Sequence, residues 1–135
     1  MPKPSQIRVQ YRGGLRGSYI DIAQLIDKAV KLDVIEFKRE NKSNVRGCEF
    51  YCRMQIRIGG KLCVTWHSSE LLTNYLEDCK QQETETGEAV FPIEDCIISV
   101  GDDKGYYLID APDEAFVPSE KEFERMVDKA HKNKR

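Results

Sequence analysis

CEFYCRMQIRIGGKLCVTWHSSELLTNY, residues 48–75, changes its hydrophobic period twice. From 48 to 58 the apolar side chains fall on even positions (Cys48, Phe50, Cys52, Met54, Ile56, Ile58), while Glu49, Tyr51, Arg53, Gln55 and Arg57 occupy the odd ones. A period of two with one apolar face predicts a half-buried strand. Gly59-Gly60 is a two-residue hairpin turn, and Lys61 to His67, with Val64, Thr65 and Trp66, predicts the return strand. Leu71, Leu72, Tyr75, Leu76 and Cys79 then recur at helical spacing behind Ser68 or Ser69 as cap, which predicts a helix over 69–80.

Upstream, Asp33 to Glu40 reads as a strand with Ile35 and Phe37 inward and Glu36 and Lys38 outward. The polar turn 41–47 joins it to the central stretch, with Lys42 and Arg46 at its tip. Ile22, Leu25, Ile26 and Ala29 share one face of a helix expected over 19–31, capped by Ser18 with Asp21 three residues on. Residues 1–17 hold Lys3, Arg8, Arg12 and Arg16 and no acid, and Ile7, Val9 and Tyr11 alternate as in a short edge strand. This is either a basic arm that touches phosphates or a solvated terminus.

Downstream, residues 81–88 (QQETETGE) read as a mobile acidic loop. Pro92 suits the entry to a strand over 96–100, the 101–105 turn follows, and 106–110 returns. Residues 111–118 form a proline-bounded linker. Ser119 and Glu122 make a capping box, and Phe123, Met126, Val127 and Ala130 form the apolar stripe of a helix whose acids lead and whose bases trail, as the helix dipole favours. That stripe either docks on its own domain or binds a protein partner.

A length of 135 residues fits one core, and no run is long and apolar enough for a membrane helix or a signal-peptide core, so the cytoplasm is the expected compartment. Five cysteines are an odd number without a secretory leader, so reduced, buried thiols are expected and no disulfide framework. Cys48 and Cys52 on one strand face lack the paired spacing of a zinc site, and neither a metal nor a cofactor is expected. His67 has no acid or thiol partner at useful spacing, Ser68-Ser69 has no nucleophile elbow, and Gly13-Gly14 opens no phosphate loop, so an enzyme is not expected. Trp66 reads as core. The formal charge of −2 hides an asymmetry: residues 1–60 hold 12 bases and 6 acids, and residues 61–135 hold 9 and 17.

Short strands with a helix between the third and fourth give the element order of an OB-fold. The expected class is therefore mainly β with flanking helices (α+β). It would be an OB-like five-stranded barrel with an inter-strand helix, an N-terminal helix and a C-terminal amphipathic helix. The units are an arm (1–17), the OB-like domain (18–111) and a linker with the C-terminal helix (112–135). The outward row Tyr51, Arg53, Gln55, Arg57 combines a ring with cations, as binders of single-stranded nucleic acid do. Lys38, Lys42, Arg46, Lys61, Arg8 and Arg12 join it as candidate contacts. The other reading of this row is a solvated sheet face. The competing function is a protein-interaction module, adaptor or inhibitor, that uses the acidic half and Phe123, Met126 and Val127.

The runs 18–41, 47–76 and 90–110 resemble a loose pattern of small phage and mobile-element proteins. The matching positions are Ile22, Leu25, Ile26, Ile35, Phe37, Gly60, Lys61, Ser68, Ser69, Leu72, Leu76, Phe91, Pro92, Ile93, Tyr106 and Tyr107. The resemblance implies an OB-like fold and a non-catalytic accessory of replication or recombination that binds single-stranded DNA. The basic leader, the acidic 81–88 stretch and the capped C-terminal helix depart from that pattern. An exposed barrel edge would permit a symmetric oligomer.

Overall fold

The computed structural model describes residues 15–41, 49–103 and 105–133, with side chains as far as His131. The central hairpin forms as its pattern requires. Strand β3 (Tyr51–Ile58) buries Cys52, Met54, Ile56 and Ile58 and leaves Tyr51, Arg53, Gln55 and Arg57 half-buried on the opposite face. Gly59 and Gly60 turn at φ +56° and +81°, the left-handed pair a tight hairpin demands. Strand β4 (Lys61–His67) returns antiparallel, with Cys63, Thr65 and His67 on the buried face.

Strand β2 (Leu32–Glu40) lies on the other side of β3, and a bulge between Val34 and Glu36 shifts its register. Leu32 and Val34 are therefore the buried residues. Ile35, expected inward, is the extra residue that the bulge absorbs. Strand β5 (Ile93–Val100) pairs with β2, and β6 (Tyr106–Asp110) pairs with β5. At the far side a two-residue β1 (Ser18–Tyr19) runs parallel to β4, which completes a six-stranded sheet ordered β1-β4-β3-β2-β5-β6.

Helices α1 (Ile22–Asp27), α2 (Glu70–Thr86) and α3 (Glu120–Asn133) follow β1, β4 and β6. Ile22 and Leu25 of α1, Leu72 and Leu76 of α2, and Phe123 and Met126 of α3 all enter one core with Cys52, Met54, Ile56, Cys63 and Ile98. All three helices thus cover the same face. Each fully buried aliphatic side chain there stabilises the fold by about 1.5–3 kcal/mol.

The α+β class holds: six strands form one sheet that is not closed by pairing between its two ends, and three helices cover its apolar face. The expected 19–31 helix shrinks to six residues, because Tyr19 and Ile20 bond to β4 and Ala29 turns left-handed at φ +50°. Its cap is Asp21, whose carboxylate accepts from the Ala23 N–H at 3.1 Å, and not Ser18.

The 81–88 stretch, expected to be a loop, is helical through Thr86. Gly87 ends α2 at φ +74° with its N–H on the Glu83 carbonyl. The Thr84 and Thr86 hydroxyls donate to the carbonyls four residues back. The Glu83 carboxylate accepts from the Val90 and Phe91 N–H groups at 2.8 and 3.0 Å, which ties the helix end to the entry of β5 and holds its carboxyl below the usual range.

The capping box of α3 forms as expected, with reciprocal bonds of 3.1 and 3.2 Å between Ser119 and Glu122. The preceding segment is fastened: Phe116 bridges Val30, donates to the Ala29 carbonyl and accepts from the Lys31 N–H. Among the described residues no helix is long and apolar enough to cross a membrane.

Candidate nucleic-acid interface

Among the described residues no helix lies on one face of the sheet, and the candidate residues converge there. In the β3–β4 register Arg53 lies opposite Trp66, Gln55 opposite Val64 and Arg57 opposite Leu62. In the β2–β3 register Lys38 lies opposite Arg53 and Glu40 opposite Tyr51. Tyr51, Arg53, Gln55, Arg57 and Lys38 therefore share one surface.

Trp66 belongs to that surface and not to the core, which corrects the sequence expectation. Its ring meets the Tyr51 ring edge-on at 6.0 Å between centroids, and its indole donates a hydrogen bond to the Tyr19 hydroxyl. Burial, with the nearby Asp21 charge adding to it, pushes the Tyr19 phenol above its ordinary pKa, so the hydroxyl stays neutral. Tyr19, Trp66 and Tyr51 form an aromatic row across β1, β4 and β3. The sequence carried the signal for Trp66: a two-residue turn at Gly59-Gly60 fixes the hairpin register and sets Trp66 opposite Arg53.

The cations on this face have partners. The Arg53 guanidinium donates to the Glu40 carboxylate at 2.9 Å, the Lys38 ammonium lies 3.6 Å from the same carboxylate, and Arg57 meets Asp33 at 2.8 Å. Asp33 also accepts from the Asp95 N–H, which holds it in place. Three cations thus face two carboxylates, and this patch is nearly neutral. Glu40 and Asp33 are the residues the sequence reading missed, because cross-strand pairing is set by the bulge in β2. Gln55 donates to the Arg16 carbonyl at 3.0 Å, so the basic leader joins the domain on this face.

Lys61 does not join the group. It lies opposite Ile58, over the Phe123 ring at 5.1 Å and 3.1 Å from Glu120, where it anchors α3. Arg8, Arg12, Lys42 and Arg46 lie outside the described residues. Phe123 and Met126, expected as partner contacts, are 8% and 2% exposed in the protein's own core, with Val127 packed against it. The stripe of α3 is occupied in cis.

His67, on the helix-covered face of β4, is 2% exposed. Its Nδ1 accepts from the Ser69 N–H at 3.0 Å, so its proton sits on Nε2. Burial lowers its pKa from 6.5 to about 4. The four cysteines among the described residues are buried free thiols, and burial pushes Cys52 up to about 11 and Cys63 and Cys96 to about 12. Thiols so disfavoured as thiolates are poor nucleophiles.

The site is thus a half-exposed aromatic row beside an ion-paired belt, on a sheet face that no described helix covers and that Arg16 meets through Gln55. No family model matches the chain, and no curated protein or solved structure was found to resemble it.

Proposed function

We propose that this protein is a non-catalytic binder of single-stranded nucleic acid and that the uncovered sheet face is its platform. The observation that carries the reading is the row Tyr19, Trp66 and Tyr51 beside Arg53 on a face that no helix among the described residues covers. Bases stack on such rings with about 1–3 kcal/mol each, and open sheets with surface aromatics bind single strands in this way. The ion pairs do not oppose it strongly. A half-exposed surface pair is worth only about 0.2–1 kcal/mol, so a phosphate can replace Glu40 or Asp33 at modest cost.

Because the patch is nearly neutral, the electrostatic part of binding falls mainly to the leader, with Lys3, Arg8, Arg12 and Arg16. If those four supply the phosphate contacts, log K falls against log salt with a slope of roughly −3. The resemblance to small phage and mobile-element proteins supports replication or recombination as the process, and the cytoplasm is the compartment we propose. The competing interaction module loses support, since the stripe it would use is buried in cis.

The test is fluorescence anisotropy of a labelled single strand against the protein, Tyr51→Ala and Arg53→Glu, at low and moderate salt. Salt-sensitive binding weakened in both variants is expected. No binding at low salt removes the proposal.

A further inference from the structure

We propose that β6 is a self-association edge at which two copies of this chain pair antiparallel about a two-fold axis at Ile109. β6 ends the sheet, and no described strand lies beyond it. Gly101 N–H bonds to the Gly105 carbonyl and Ala111 N–H to the Asp95 carbonyl, and the β5–β6 register keeps that phase. The odd residues of β6 therefore bond inward, and Tyr106, Leu108 and Asp110 direct their N–H and C=O groups away from the sheet. The Ser69 hydroxyl already takes the Tyr106 N–H at 2.9 Å, which closes that end of the edge. Pro112 has no N–H and closes the other. Leu108 and Asp110 remain, and they fit each other. Two copies related by a two-fold at Ile109 set Leu108 against the second copy's Asp110 and the reverse, which gives four ladder bonds.

The side chains select a second copy as the occupant. In that register Ile109 meets its own counterpart as a non-hydrogen-bonded pair, where side chains come closest, and Tyr107 lies across from Ala111. The row large, medium, small thus faces small, medium, large. Ile109 is 42% and Tyr107 37% exposed. No lysine or arginine in β6 guards this edge, as natural edge strands usually require. So short an edge buries less than the ~800 Å² per partner of a stable complex, so the dimer is weak and concentration-dependent.

The experiment is sedimentation equilibrium of the full chain over a wide concentration range, for wild type, Ile109→Lys, Asp110→Pro and Val117→Lys. Ile109→Lys sets two like charges across the axis. Asp110→Pro removes an outward N–H without touching the β5 ladder. Val117, 56% exposed and outside β6, is the control. The proposal expects wild type and Val117→Lys to rise from 15.6 kDa towards twice that mass, with dissociation constants at least ten-fold weaker in the other two. Far-ultraviolet circular dichroism on each variant reports its fold, and either edge variant suffices. A wild type that stays monomeric throughout overturns the proposal, as does a dimer indifferent to both edge substitutions or equally weakened by Val117→Lys.

Discussion

Acidification should cost this protein stability through His67 before most carboxylates titrate. The imidazole is buried on the helix-covered face of β4, with Nδ1 committed to the Ser69 N–H and its ring edge-on to Tyr106 at 6.0 Å. Its pKa falls from 6.5 to about 4 on folding. Between those values the unfolded chain binds a proton that the folded chain does not, so stability is full above pH 6.5 and declines as the pH falls towards 4. A shift of that size at about 1.4 kcal/mol per unit amounts to roughly 3 kcal/mol, a large share of the 5–15 kcal/mol of a typical domain. Urea unfolding measured from pH 7 to 4 on wild type and His67→Gln isolates the effect, because the exposed carboxylates are common to both. Wild type should lose roughly 3 kcal/mol more than the variant across that window. Parallel stability curves for the two proteins would refute the reasoning.

Other predictions concern backbone, core and charge. A Cβ at Gly17, where φ is +134°, would stand 2.6 Å from the Leu62 and Cys63 backbone, so Gly17→Ala should detach β1 and cost about 2 kcal/mol or more in chemical denaturation. Met126→Ala should destabilise the isolated protein by about 2–5 kcal/mol, as loss of a buried side chain does, whereas a stripe reserved for a partner would leave its unfolding midpoint unchanged. Glu40→Gln removes the carboxylate that pairs with Arg53, so it should tighten single-strand binding several-fold in anisotropy titrations; weaker binding would argue that Glu40 positions Arg53 for its ligand.

The hairpin, a serine cap at 68 or 69 (it is Ser69) and the capping box of α3 were legible in the sequence because each depends on neighbours within a few residues. What covers the apolar face of the sheet was not legible, because the covering residues Leu25, Leu76 and Met126 are distant in sequence from one another. The bulge at Ile35 and the left-handed Ala29 carry no glycine to announce them. The end of α2 was misread because the polar run 81–86 has no apolar spacing. Its helix instead rests on local propensity and on the Glu83 contacts to Val90 and Phe91. At the site, the row on β3 was visible as alternation, but its neutralisation by Glu40 and Asp33 is a cross-strand property that only the register reveals.

Trp66 is the single tryptophan of the chain and lies within the proposed stacking row, so its own fluorescence reports on the central claim. Unlabelled single-stranded oligonucleotide titrated into the protein at low salt should quench that emission saturably, with the quench reversed by added salt and weakened in Tyr51→Ala. Emission that stays constant through the titration would contradict the account.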